Sequence, residues 1–268
     1  MNRKIRLIVS LLLSASLLAA CGSSNAEKEK IIIGASPVPH AEILKNVKDD
    51  LDKLGYTLEI KIFNDYIIPN TALSDGQLDA NFFQHIPYLE GMNASDDLKI
   101  TWATKVHLEP LGLYSDKIKS LDELKEGATI TIPNDNTNGS RALKLLADNG
   151  LITLEDKEEV SLLDIKTNKL NLKIEELDAP ALPRTLQDVD ASVINTNYAL
   201  EADLNPTEDA IIIESSDSPY ANVVAVREAD KGSEKTKALV KVLNSDKTKK
   251  FIEEKYKGSI LPAFEENK

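Results

Sequence analysis

The chain has 268 residues, 42% of them apolar and 28% charged, and its 44 acidic side chains outnumber 32 basic ones for a formal charge of −12. That balance opposes binding to nucleic acid and to anionic lipid headgroups. A single cysteine rules out an intrachain disulfide, and a chain of this size buries a sufficient core without one.

The amino terminus reads as a targeting segment. Arg3, Lys4 and Arg6 precede an apolar run at residues 7–18. The run is shorter than the roughly 20 residues a membrane span needs, and it suits the h-region of a signal peptide. It ends in Leu18-Ala19-Ala20-Cys21, which resembles the bacterial lipobox, whose cysteine is lipidated and becomes the first residue of the mature chain. Loss of residues 1–20 removes three cations and no acid, so the mature charge becomes −15. Residues 21–30 are small, polar and charged, without apolar periodicity, and read as a flexible tether.

Strands and helices then alternate. Residues 30–35 form a β-branched run expected to be a buried strand. A Pro-rich break follows, then a helix over 41–54 with Ile43, Leu44, Val47, Leu51 and Leu54 on one face and Gly55 as its stop. Further strands are expected at 56–63, 80–83, 100–106, 129–132, 173–176, 191–195, 211–214 and 223–227. Helices are expected at 71–75, from 85 onward, at 139–148, within 179–189, and at 198–202, 235–244 and 246–256. Residues 109–114 read as a crossover, Ser120 and Glu123 as a capping box, and 133–138 as a polar loop. The alternation implies α/β architecture with buried sheets.

Residues 81–88 read Asn-Phe-Phe-Gln-His-Ile-Pro-Tyr. In a chain with 5% aromatics, this stretch collects Phe82, Phe83 and Tyr88 beside His85, one of three histidines. It is either a core-packing segment or one wall of a pocket for a small amphipathic molecule. Arg141 follows a polar loop at a helix start, where backbone N–H groups favour an anion and a guanidinium can clamp a carboxylate; the alternative is a solvated surface arginine. Asn195 and Asn222 follow or open strands and can each donate and accept, or merely cap a turn.

Several of these segments resemble one family, in order along most of the mature chain. They are Asn-Asp-Tyr-Ile-Ile-Pro-Asn at 64–70, Asp-Ala-Asn-Phe-Phe-Gln-His-Ile-Pro-Tyr-Leu at 79–89, Asn-Gly-Ser-Arg-Ala-Leu at 138–143, Ala-Pro-Ala-Leu-Pro-Arg at 179–184, Val-Ile-Asn-Thr-Asn-Tyr at 193–198 and Ser-Pro-Tyr-Ala-Asn at 218–222. They are similar to the methionine-binding lipoproteins of bacterial ABC importers. The 138–143 segment differs in having Ser140 between Gly139 and Arg141. The resemblance implies a two-lobed type II periplasmic-binding-protein fold with ligand in the cleft: residues 31–109 and 223–268 as one lobe, 110–222 as the other. It implies a lipid-anchored receptor on the extracytoplasmic face of the cell membrane that delivers L-methionine to an ABC permease and its ATPase subunits. Tyr66, Phe83, His85 and Tyr88 would enclose the thioether; Arg141, Asn195 and Asn222 would hold the carboxylate and ammonium; the 179–184 segment would be scaffold. A methionine-containing dipeptide or another apolar amino acid is the alternative ligand.

Other classes have less in their favour. His40, His85 and His107 could serve a metal, yet none stands in paired ligand spacing. The chain has no Gly-X-Ser-X-Gly and no second cysteine, so neither an enzyme nor a cofactor is expected. An unrelated adhesive lipoprotein would account for the amino terminus alone.

Overall fold

The computed structural model describes residues 28–264. Cys21 and the signal segment lie outside the described residues. Among the described residues, no helix is long and apolar enough to cross a membrane.

The strands form two main sheets. The first takes β1 (Glu29–Ala35), β2 (Tyr56–Ile62), β3 (Ala80–His85), β4 (Ile100–Leu108), β12 (Ala221–Arg227) and β13 (Leu261–Pro262), in the order β13-β4-β12-β3-β1-β2. The second takes β5 (Gly112–Tyr114), β6 (Thr129–Pro133), β9 (Lys173–Leu177), β10 (Ala191–Ile194) and β11 (Ile212–Ile213), in the order β11-β5-β10-β6-β9. A small pair, β7 (Thr153–Leu154) with β8 (Ile165–Thr167), stands apart. The chain passes from the first sheet to the second after β4 and returns between β11 and β12.

Each sheet is covered by helices along an apolar stripe. Helix α1 (His40–Lys53) buries Ile43, Leu44, Val47 and Leu51, and Gly55 at φ 92° ends the turn that follows, a conformation only glycine adopts readily. These residues pack with Ile31 and Ile33 of β1 and with Leu239, Val242 and Ile252 of the carboxy-terminal helices (Glu234–Leu243 and Asp246–Tyr256) in the first core. The second core joins Ile130 and Ile132 of β6, Val193 of β10, and Leu143 and Leu146 of the helix Asn136–Asp148. Buried parallel strands need apolar side chains on both faces, so β1 and β6 appear in sequence as β-branched runs.

Register places the residues that matter next. β12 runs antiparallel between β3 and β4, and Asn222 falls opposite both His85 and His107. Three polar side chains distant in sequence therefore meet in one row at the end of the sheet.

Several expectations are corrected. The helix carrying Arg141 begins at Asn136 rather than 139, because Asp135 caps it by accepting the Asn138 backbone N–H at 2.9 Å. Gly139 lies inside its first turns, where a Cβ would approach the Pro133 carbonyl to 3.0 Å. Ser120 makes no capping bond to helix backbone; the capping box is formed by Ser161 and Asp164 instead. The expected crossover at 109–114 contains strand β5. The strands β7, β8 and β13 are too short to leave a periodic signal, and β1 already starts at Glu29, within the expected tether.

Candidate functional site

The ends of β3 and β4, the start of β12, the Arg141 helix and the segment after β10 converge on one cleft. The space between these walls amounts to about 340 Å³ with its open mouth included. Its walls include Tyr66, Phe83, His85, Tyr88, Arg141, Asn195 and Asn222. All seven residues singled out in the sequence thus face the same space. Gln84, Glu109, Asn138, Thr196 and Asn197 complete the lining.

One wall is aromatic. Alternation along β3 sends Phe83 to the cleft while Phe82 turns into the first core, 4.7 Å from the His40 ring and 5.2 Å from that of His107. The aromatic cluster at 81–88 therefore divides between core and pocket. Tyr66 lies 5.9 Å from both Phe83 and Tyr88 by ring centroids, and 5.1 Å from Tyr198 of the second lobe. The Tyr66 hydroxyl donates to Asn197 Oδ1 at 2.5 Å and Tyr88 donates to the Tyr66 carbonyl at 3.0 Å. Burial pushes both phenols upward, so they remain neutral donors.

His85 is fixed at both nitrogens. It ends β3 and caps the next helix, Ile86–Asp96: its Nδ1 accepts the Tyr88 backbone N–H at 3.1 Å. Nε2 therefore carries the proton and donates to Asn138 Oδ1 at 3.1 Å. Burial, then the nearby Arg141 charge, lowers its pKa to about 3, so the ring is neutral. Asn138 is held in turn by Asp135, and its Oδ1 also accepts from Asn195 Nδ2 at 2.9 Å. That chain of bonds leaves Asn195 Oδ1 buried without a partner at the cleft wall. A buried acceptor left open in this way is ready for an N–H donor from a ligand.

Arg141 is buried and already engaged. Its Nε donates to Glu214 Oε1 at 2.8 Å, and Nη2 donates both to Glu214 Oε2 and, at 2.7 Å, to the Glu109 carbonyl. The guanidinium lies 4.3 Å over the Tyr220 ring. Nη1 is the nitrogen that Glu214 and Glu109 do not take. At the helix start expected to bind an anion, Asp135 receives the Asn138 N–H on its side chain and that of Gly139, at 2.7 Å, on its carbonyl.

Behind the cleft, the other two histidines meet one carboxylate. His107 Nε2 lies 2.7 Å and His40 Nε2 3.2 Å from Glu109 Oε1, and His40 Nε2 is also 3.0 Å from Asn222 Oδ1. The absence of paired spacing in sequence therefore did not foretell their separation in space: potential ligand atoms of His40, His107 and Glu109 lie within 4.8 Å of one another. Both nitrogens point at the same oxygen at hydrogen-bond lengths, an arrangement of two donors on one acceptor rather than ligands spread about a common centre. Glu109, Gln84, Asn138, Asn197 and Glu214 escaped the sequence reading. The closely spaced amides of Asn195-Thr196-Asn197 were the one available signal.

Comparison with known proteins gives the family. The family model described as NlpA lipoprotein matches residues 31–264. A methionine-binding lipoprotein, MetQ, of Bacillus subtilis is 46% identical over 98% of this chain and its own full length. The D-methionine-binding lipoprotein MetQ of Escherichia coli K12 is 40% identical over 94% of this chain and 95% of its own. A nutrient-binding protein from Burkholderia cenocepacia, solved bound to methionine, superposes with a TM-score of 0.85 at 46% identity, covering 87% of this chain and all of that one. A match to the family model across nearly all the described residues, on a two-lobed α/β fold with a cleft between its sheets, means that the chain belongs to the NlpA lipoprotein family.

Proposed function

We propose that this protein captures L-methionine outside the cytoplasm and delivers it to an ABC permease and its ATPase subunits, tethered to the membrane by lipid on Cys21. The observation that carries the reading is the composition of this cleft. It offers an arginine for a carboxylate, an open amide oxygen on Asn195 for an ammonium, and the rings of Tyr66, Phe83 and Tyr88 for a thioether. Sulfur packs favourably against aromatic rings, and a buried zwitterion needs both of its ends satisfied. The relatives whose names state methionine or D-methionine binding support methionine as the ligand. His85 serves by shape and by holding Asn138, and Asn222 by presenting its amide at the end of β12. No bond of the ligand is made or broken.

The lobes are proposed as residues 31–109 with the carboxy-terminal segment, and the intervening part from 110, with the return crossing just ahead of Ala221 where β12 begins. Closure of the lobes on the ligand excludes water and accounts for the burial of the polar lining. The Tyr66–Asn197 and His85–Asn138 bonds span the cleft in the closed form. Calorimetric titration of ligand-stripped protein tests the ligand: L-methionine should bind, with leucine and a methionine-containing dipeptide at least about tenfold weaker, a difference of roughly 1.4 kcal/mol. Tighter binding of the dipeptide would assign the cleft to peptides.

A further inference from the structure

We propose that Glu109 is the counter-ion of the ligand's α-ammonium, so that a free amino group is a condition of binding. This rests on the amino-acid reading above and adds to it a residue and a rule of acceptance. Glu109 is 6% exposed and lines the cleft beside Arg141, Asn195 and Asn222.

Its surroundings supply hydrogen bonds, and the one full positive charge that acts on it, Arg141, does so without an ion pair to the carboxylate. His107 and His40 approach Oε1, and the Asn197 backbone N–H faces the same carboxylate. Burial lowers the pKa of His107 to about 3 and that of His40 to about 4, so both rings are neutral near pH 7. The charge of Arg141 is met by Glu214 through two nitrogens, and Arg141 touches Glu109 only at its backbone carbonyl. Among the described residues, no lysine or arginine forms an ion pair with the Glu109 carboxylate. Burial accordingly pushes this carboxyl upward. A buried carboxylate held by neutral donors is stabilised strongly by an arriving cation.

The neighbouring acceptors fit an ammonium. That group has three N–H donors, and the cleft lining offers Glu109, the open Asn195 Oδ1 and Asn222 Oδ1 as acceptors. The Asn222 oxygen also faces His40 Nε2, which shares its proton between Asn222 and Glu109. The carboxylate of the same ligand is then directed to Arg141, across from Glu214. Both charges of the zwitterion gain a partner of opposite sign, and an N-blocked or deaminated ligand leaves Glu109 uncompensated.

The test compares L-methionine with 4-(methylsulfanyl)butanoate, which has the same side chain and carboxylate without the amine. Both are titrated into the mature wild type and into Glu109→Gln, whose amide keeps the shape and removes the charge. The wild type should prefer methionine over the analogue, and that preference should shrink at least about tenfold in Glu109→Gln, in line with the loss of a buried charge pair. An unchanged preference, including an equal weakening of both ligands, would reduce Glu109 to a structural part and overturn the proposal. Absence of methionine binding by the wild type would instead remove the amino-acid reading itself, and this proposal with it. Should Glu109→Gln fail to fold, a crystal structure of the wild-type complex decides: the ammonium nitrogen is expected about 3 Å from a Glu109 carboxylate oxygen. An ammonium surrounded by amides alone would overturn the assignment.

Discussion

Replacing Arg141 by alanine removes the cation proposed to meet the ligand carboxylate. In the structure the guanidinium stands 2.8 Å from Glu214 Oε1 through Nε, and Nη2 adds a second bond to that carboxylate and one to the Glu109 carbonyl. At an effective dielectric constant of 20, a pair at that distance attracts by about 6 kcal/mol before desolvation is subtracted. Net losses on truncating one partner of a buried, hydrogen-bonded charge pair run at roughly 2–5 kcal/mol. Two features place this site in the upper part of that range. Arg141 is 3% exposed, so water cannot replace it. Its removal also leaves the Glu214 carboxylate without its cation, so that an uncompensated negative charge repels the incoming carboxylate from behind the cleft wall. Arg141→Ala should therefore weaken L-methionine binding by about a thousandfold. Arg141→Lys should recover only part, since an ammonium cannot serve Glu214, the Glu109 carbonyl and the ligand with a planar fork. Adding Glu214→Gln to Arg141→Ala should restore some affinity by removing the repulsion. Arg184, exposed on the short helix Leu182–Thr185, is the control, and Arg184→Ala should bind nearly as the wild type. The assay is calorimetric titration of stripped protein, with thermal melts to establish folding. Wild-type affinity in a folded Arg141→Ala would refute the assignment of the carboxylate to this residue.

Acid should destabilise the fold through the three histidines. Their folded pKa values of about 3 to 4 lie below the unfolded value of 6.5, so below pH 6.5 the unfolded chain binds more protons and stability falls as pH falls. Between pH 6.5 and 5 each buried ring forfeits about 2 kcal/mol; Glu109, shifted upward, opposes this in part. Denaturant melts at pH 7 and pH 5 check the sign, and equal stability at both would contradict it. Tyr66→Phe deletes the hydroxyl bond to Asn197 across the cleft and should speed methionine release several-fold, about 1 kcal/mol, in stopped-flow dissociation; an unchanged off-rate would show that this contact does not hold the lobes together. Small-angle scattering should show stripped protein contracting when methionine is added, and an identical radius with confirmed binding would argue against lobe closure. Cys21→Ala should abolish palmitate labelling while leaving affinity intact, and persistent labelling would sink the lipobox assignment.

Local pattern carried much of the fold. The β-branched runs of β1 and β6 and the four-residue apolar spacing of α1 survive because burial on a sheet demands them. Helix starts were harder to read. In Pro133-Asn-Asp-Asn-Thr-Asn138 several residues can cap, and the structure gives that place to Asp135. The cleft was legible where a side chain announces its chemistry: an arginine after a polar loop, paired tyrosines, an Asn after a strand. It was illegible where function depends on register. Glu109 beside a proline looks like any loop carboxylate until α1 delivers His40 and β4 delivers His107 to the same oxygen. Glu214, the partner that occupies Arg141, lies beyond a whole sheet in sequence, and nothing local in Ile-Ile-Glu marks it.

The cleft's occupant tests the account most directly. Freshly purified protein, never exposed to denaturant, should be washed free of loosely held solutes, unfolded, and its released small molecules identified by mass spectrometry. The proposed function predicts L-methionine in amounts approaching one per protein chain. Release of a different compound at that level, with no methionine, would contradict the assignment.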